Sequence, residues 1–354
     1  ANFDSSPPTV QTWNLSVQRE LPGNFLVSTT YLGNQITHLW TRENDNDAVF
    51  VPGVGDAKGN CFLTSVGQPI PNSILDLVGK AVPYTVRAGS ACTSGGNTSA
   101  RRVASLINPA EGKFFGRISK RTDGGTSQYH GLMLTFQRRA AEGVNVGMNY
   151  TWSHCIGDNP TANASGVGGT GFLDPNDRAR DRANCGSDRR HLFNMTTVAT
   201  TPEFSNSTLA AVASDWQLSG IYRFSAGESL TVLTGTDIVR SGQSGNQRVN
   251  QLLDDPYGSG NGIVNFLNPA AFAQPASGTI GSIGRSNVEG PRFWQFDLAL
   301  SRDFQLTENQ GLEFRAEAFN VTNSLIKNNP EARRNRNTFG RITDSRDARV
   351  MQFA

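Results

Sequence analysis

The 354 residues contain no apolar run approaching the roughly 18 or more that a membrane-crossing helix needs. Charge of one sign is equally scarce. The 32 Lys and Arg against 30 Asp and Glu leave a formal net charge of +2, too near balance to point to a nucleic-acid partner. Only four histidines occur, and no Ser/His/Asp or Cys/His order marks a nucleophilic site, so no enzyme is expected. The four cysteines form no CxxC and have no histidine at zinc-finger spacing, which argues against a structural metal site. Hydrophobic residues make up only 37%, but adding the 37 glycines brings the total near the roughly 45–50% of a soluble domain, so composition alone does not decide the class. The first residue is Ala1, with neither initiator methionine nor signal peptide ahead of it. The expectation is a processed chain or a piece of something longer.

What is present in quantity is alternation. From Tyr129 to Trp152 two segments are joined by a break at Ala140-Ala141-Glu142-Gly143. Leu132, Leu134 and Phe136 share one face of the first. In the second, Val144, Val146, Met148, Tyr150 and Trp152 alternate with Asn145, Gly147, Asn149, Thr151 and Ser153. Side chains of a strand point alternately to opposite faces, so this is a hairpin with one apolar and one small, polar face. A packed core does not need the second kind of face; the lumen of a membrane barrel does, with the apolar face turned to lipid. The pattern recurs at Trp13–Val17, Phe25–Tyr31, His191–Thr200, Trp216–Phe224, Trp294–Leu300 and Leu312–Ala318, and a last strand is expected at about Ala348–Ala354. Short turns at 22–24, 140–143, 202–207 and 307–311 alternate with long glycine-rich stretches. That gives about nine strands of an all-β, antiparallel, up-and-down transmembrane barrel segment, with short periplasmic turns and long external loops.

The segments VQTWNLSVQRELPGNFLVSTTYLGN (10–34), QYHGLMLTFQRR (128–139), MNYTWSHCIGD (148–158), DRRHLFNMT (188–196), DWQLSGIYRFSAGESLTV (215–232), FDLALSRDF (296–304), FRAEAFNVTN (314–323) and RVMQF (349–353) resemble the C-terminal barrel of Oar-like TonB-dependent receptors. The resemblance implies that residues 1–354 are one portion of a larger outer-membrane barrel, usually of 22 strands, that takes up a scarce ligand. It implies as partners the remainder of the barrel and its plug, the TonB complex through an N-terminal part, and outer-membrane lipid. These 354 residues show no plug, TonB box or carboxypeptidase-regulatory-like domain, and the last strand stops at Ala354 short of the family's closing aromatic. An open nine-stranded sheet exposes two edges, and something must complete it. The alternative is a structural or adhesive surface assembly in which such segments self-assemble through edges or loops, without transport.

Candidate site residues follow from these expectations. The adjacent cysteines Cys61 and Cys92, and Cys155 and Cys185, each lie about thirty residues apart in presumed loops and form the preferred pairing among three connectivities, with four free thiols as the alternative. Disulfides would place the loops in an oxidising compartment outside the cytoplasm. Asp297, Arg315 and Glu317 fall on the lumen face of neighbouring strands as a charge network. Trp13, Tyr31, Tyr150, Trp152, Trp216, Tyr222 and Trp294 are candidates for lipid-facing or interfacial anchors, against the reading of a core between two stacked sheets. Glu43, Asp45 and Asp47, and the cluster Asp174, Asn176, Asp177 and Asp181, offer hard oxygen ligands for calcium, but without EF-hand spacing solvated loop charge is preferred. No other cofactor is expected. The run GVGGTG (166–171) lacks a βαβ setting and reads as a flexible external loop. His130, His154 and His191 lie at or near strand ends and His38 in a loop, none with an assigned role.

Overall fold

The computed structural model describes residues 5–65, 70–141, 143–158, 172–174, 176–258, 263–307 and 309–354; the glycine run 166–171 lies outside them. The chain forms an antiparallel sheet of β1 (Thr9–Leu21), β2 (Phe25–Asn44), β3 (Ser119–Ala141), β4 (Val144–Gly157), β5 (His191–Thr200), β6 (Trp216–Ser225), β7 (Phe293–Thr307), β8 (Gln310–Phe319) and β9 (Val350–Phe353). Sequence neighbours are spatial neighbours throughout, and the two-residue strand Ala183–Asn184 joins the end of β4 as a tenth member. Among the described residues β1 pairs only with β2 and β9 only with β8, so the sheet is open.

Register converts the alternation into two faces. One transverse row runs Gln18, Ser28, Thr135, Asn149, Asn194, Arg223, Gln295 across seven strands. The adjacent row, one residue along each strand, runs Val17, Thr29, Leu134, Tyr150, Phe193, Phe224, Trp294. A one-residue step therefore exchanges a wholly polar surface for a largely apolar one, as the period of two requires. The apolar face is left open: Leu15, Val17, Leu134, Trp152, Leu218 and Trp294 are all exposed. A contiguous apolar face of this breadth is one that a soluble monomer would cover. No second sheet packs on it among the described residues, which removes the stacked-sheet core. Gly33 sits on this face opposite Trp13, and a Cβ there would fall 2.1 Å from the indole Nε1, so glycine admits the ring flat against the sheet.

The connections at one end are short. Between β1 and β2, Gly23 and Asn24 take φ of +86° and +64°, values that glycine adopts without strain and asparagine tolerates. The connection between β5 and β6 is longer than a turn at 202–207. It holds a helix, Ser207–Ala213, whose first turn is capped by Asn206 accepting from the Thr208 and Leu209 amides. Its last carbonyls receive the guanidinium of Arg302 from β7, at 2.7 Å to Ala211 and 3.0 Å to Val212, so a cation closes the negative end of the helix.

The packed cores lie outside the sheet, in the long connections at its other end. One core gathers Val49, Val51, Cys61, Leu63, Ile70, Ile74, Val82, Cys92, Val103 and Leu106 from the β2–β3 connection. A second gathers Val232, Val249, Leu267, Ala271, Phe272, Ile283 and Val288 from the β6–β7 connection with Phe339 from the β8–β9 connection. The glycine-rich stretches are thus two small folded bodies rather than solvated loops.

Candidate functional site: the loop cap and its cavity

Of the four long connections, β2–β3, β4–β5, β6–β7 and β8–β9 in chain order, the first is fastened internally by a disulfide, Cys61–Cys92, with both cysteines buried in its core. Beside it Arg101, only 1% exposed, donates from Nη1 to the carbonyls of Val49 (2.6 Å) and Arg240 (2.8 Å) and from Nε to Asn97 Oδ1 (2.9 Å). A buried guanidinium is tolerated because carbonyl and amide oxygens receive its hydrogens. The Arg240 carbonyl belongs to the third connection, so Arg101 ties two loops together. The Ala48 amide donates to the Ser241 carbonyl (3.0 Å) and the Gln243 amide to both oxygens of Asp47 (2.6 and 2.7 Å), extending the same seam. Burial lifts the Asp47 carboxyl above its ordinary range, opposed by the hydrogen bonds from Gln243 and the charges of Arg117 and Arg102.

The β4–β5 connection, the second of the long ones, is fastened by a disulfide and a buried ion pair. A second disulfide, Cys155–Cys185, joins it to β4. Four residues before Cys185, Asp181 forms an ion pair with Arg248 at 3.3 Å, with side chains only 4% and 2% exposed. Asp181 also accepts from the Leu173 amide (2.8 Å), while Arg248 donates to the Arg180 carbonyl (3.1 Å). Arg285 adds donors to the carbonyls of Asp181 (2.8 Å) and Gly157 (2.6 Å). Burial pushes the Asp181 carboxyl above the usual carboxylate value against the pull of Arg248. The fourth connection is drawn in by the Arg334 guanidinium on the Phe272 carbonyl (3.1 Å).

Where the first three connections meet there is a cavity of about 290 Å³, lined among others by Asp45, Asp47, Asn72, Phe172, Ser241 and Gln243. Two of its carboxylates are ion-paired: Glu43 and Asp45 lie 3.6 and 3.5 Å from Lys120, and Arg178 lies 3.8 Å from Glu43. The lining combines three carboxylates, Glu43, Asp45 and Asp47, and one lysine, Lys120, with the hydrogen-bonding groups of Asn72, Ser241 and Gln243, so it is suited to a polar ligand.

The sequence-derived residues distribute as follows. Asp297, Arg315 and Glu317 share the polar face but do not form one network. Asp297 pairs with Arg223 (2.9 Å) and accepts from Gln295 (2.7 Å) and the Asn320 amide (2.8 Å), whereas Arg315 pairs within β8 with Glu313 (2.6 Å) and Glu317 (3.8 Å). The two groups are separate because Asp297 lies opposite Ile221 near the loop end and Arg315 opposite Ser301 nearer the turns. Asp174, Asn176, Asp177 and Asp181 do not converge on a common point. Asp174 accepts from the Asn176 amide (2.9 Å), Asn176 donates to the Ile70 carbonyl (2.7 Å), Asp177 caps the turn at Ala179 (3.1 Å), and Asp181 faces Arg248. No group of three potential metal ligands is assembled among the described residues. Trp13, Tyr31, Tyr150, Trp152, Tyr222 and Trp294 ring the loop end of the apolar face, while Trp216, opposite Arg302, marks the turn end. Arg101, Arg248 and Arg285 escape sequence reading, because no local pattern distinguishes a buried loop arginine from a solvated one.

A family model described as "Outer membrane beta barrel domain" matches residues 2–352. No curated protein matches the chain. Among solved structures it is similar to the outer membrane transporter YddB of Escherichia coli, at 10% identity and a TM-score of 0.43, over 99% of this chain and 32% of that one. It is similar to the ferric-catecholate import receptor Fiu of E. coli K12 (10% identity, TM-score 0.39, 99% and 27%) and to the FrpB iron transporter of Neisseria meningitidis (10%, 0.38, 99% and 31%). The chain thus spans about a third or less of the length of each.

Proposed function

This chain belongs to the outer membrane beta barrel domain family, and we propose that it is the C-terminal part of a TonB-dependent receptor barrel that imports a ligand across the outer membrane without chemically altering it. The observation that carries this reading is the combination of an open wall and a closed cap. Nine strands present an apolar face to lipid and a polar face to a lumen, with both sheet edges unpaired among the described residues. In lipid each unsatisfied backbone group costs several kcal/mol, so further strands must close the wall. The interlocked loops and their polar cavity lie at the external end, where a ligand would be met before entry. In this reading the missing wall, a plug and the TonB complex are the partners, and specificity resides in loops and plug together.

The test is isolation of the native polypeptide from outer membranes, with intact-mass measurement and uptake assays in cells with and without a protonophore. A polypeptide well above 38.2 kDa containing plug peptides upstream, with protonophore-sensitive accumulation of one of a panel of scarce solutes, is the expected result. A 38.2 kDa species that stays soluble and ordered without detergent would overturn the reading and favour an edge- or loop-paired surface assembly.

The assignment of faces has its own test. Leu134 lies on the lipid face and Thr135 on the lumen face at the same height. In the complete barrel folded into vesicles, Leu134→Arg is expected to cost about 2–4 kcal/mol by urea unfolding. Thr135→Arg should change stability by only about 0.5 kcal/mol. Equal losses would refute the assignment.

A further inference from the structure

The helix Ser207–Ala213, in the connection between β5 and β6, sits against the lipid face of the wall at its turn end. Trp216, Arg302 and Phe314 occupy one transverse row of that face, and the Trp216 and Phe314 rings meet at 6.2 Å. Arg302 is buried there. Its guanidinium lies 5.6 Å from the Trp216 ring and 4.6 Å from the ring of Phe304, two residues further along the same face. From this position it donates to the carbonyls of Ala210, Ala211 and Val212, and Trp216 Nε1 donates to the Val212 carbonyl as well (2.9 Å). Two lipid-face side chains therefore hold the end of the helix, which places that end on the outside of the wall and not in the lumen.

The surface of the helix suits an apolar boundary. Ser207 to Ala213 carries no charge. Leu209 and Val212, three residues apart and so on one side of the helix, are 51% and 66% exposed. Phe204, also exposed, is brought back to the end of the helix by its amide, which donates to Ser214 Oγ (3.1 Å). The backbone ends are closed by protein groups: Asn206 accepts from the first amides, and Arg302 and Trp216 donate to the last carbonyls. On a helix hanging in water the solvent would serve these groups, whereas against lipid each unsatisfied one costs several kcal/mol. Height agrees. Trp294 and Arg302 lie about eight residues apart on β7, a rise of about 21 Å at ~3.4 Å per residue and a tilt near 40°, just inside the ~25 Å apolar band of such barrels. With Trp294 at the external rim, Trp216 and the helix end stand at the periplasmic one. The helix is also several strands from either open edge of the sheet, so completing the wall would not cover it.

We propose that this helix is a membrane-interface anchor: Arg302 docks it on the lipid face, and Phe204, Leu209 and Val212 enter the acyl boundary of the periplasmic leaflet. Helices of this kind lie in the plane of the interface with their apolar side about 5–10 Å deep. The anchor continues the apolar face past the last row of β5 and β6 and fixes the depth of that strand pair. The inference rests on the wall facing lipid and not on the import of a ligand.

The test is photo-crosslinking of the complete protein in native outer membranes, with p-benzoylphenylalanine in place of Leu209, Val212, Leu218 or Ser219 in turn, and mass spectrometry of the adducts. Leu218 is the lipid-face control and Ser219, beside it on the same strand, the lumen-face control. Phospholipid adducts are expected from the Leu209 and Val212 positions, at yields within about threefold of Leu218 and at least about tenfold above Ser219. Adding Arg302→Gln should lower the yield at Val212 by about fivefold or more and leave that at Leu218 unchanged. Adducts of the two helix positions with a periplasmic protein, yields no higher than at Ser219, or a yield at Val212 unaffected by Arg302→Gln would each overturn the proposal. A lack of lipid adducts at Leu218 too would overturn the lipid-facing wall itself, and the anchor with it.

Discussion

Replacing Arg248 by Met is expected to cost the loop cap about 3–5 kcal/mol, the penalty for leaving a buried charge without its partner. Asp181 would remain at 4% exposure with the Leu173 amide and the more distant charges of Arg285 and Arg180 in place of its ion-pair partner. The readout is hydrogen exchange by mass spectrometry on the complete barrel in lipid nanodiscs. Protection should fall in peptides covering 172–185 and 246–290 and persist in β3, β4 and β7. The double substitution Arg248→Met/Asp181→Leu should recover most of the loss, since two apolar groups of similar volume can replace a buried pair at little cost. Acidity should act in a defined direction. Burial holds the folded Asp181 pKa above its ordinary value of 3.8, so the folded cap binds the proton more tightly than the unfolded loop. Its ionisation penalty is therefore full at neutral pH and is relieved as pH falls through the folded pKa. In Arg248→Met the pKa rises further, so the variant's deficit should shrink on acidification from neutral pH. Unaltered protection in the single variant would show that the pair does not hold loops two and three together.

Removing the Cys61–Cys92 disulfide is the second large effect. For cysteines 31 residues apart, the chain-entropy account assigns roughly 3–4 kcal/mol to the cross-link. The remaining core of Val49, Val51, Leu63, Ile70, Ile74, Val82, Val103 and Leu106 is small, so a loss of that size should leave the first loop body marginal. In the Cys61→Ala/Cys92→Ala protein, limited proteolysis is expected to cut within residues 49–106 while the β1–β2 hairpin stays intact. The Arg101 seam would loosen with it, because the Val49 carbonyl that receives Nη1 lies in the same body. Resistance to cleavage equal to that of the parent protein would show that the apolar core alone suffices.

The wall was legible from residue pattern because its rule is local. Leu134 and Thr135 differ in face for one reason, the two-residue period of a strand, and that reason is present in any ten-residue window. Strand limits follow the same signal: His191–Thr200 and Trp216–Ser225 sit where the alternation places them. The helix at Ser207–Ala213 was hidden because seven residues carry too little periodicity, and its C-terminal cap comes from Arg302, almost ninety residues away. The cap was the larger surprise. Val51, Val232 and Phe272 are scattered through glycine-rich sequence with no repeat, and glycine content there signals tight turns between packed segments as readily as it signals solvated loop. The cavity at Asp47 and Gln243 was beyond reach for the same reason, since those two residues are 196 positions apart with four strands of the wall between them.

Sequence by itself determined the class of this protein: an all-β, antiparallel wall with one apolar and one polar face, short connections at one end and long ones at the other. It could do so because side-chain alternation and turn chemistry act between residues only a few positions apart. Only the tertiary structure decided that the long connections fold into two cores, that Arg101 and the Asp181–Arg248 pair lock them into a cap, and that Asp297 turns to Arg223 rather than Arg315. Those outcomes depend on which distant groups are desolvated together. Burial of a charge or a side chain is a property of the assembled neighbourhood, and no window of sequence contains it.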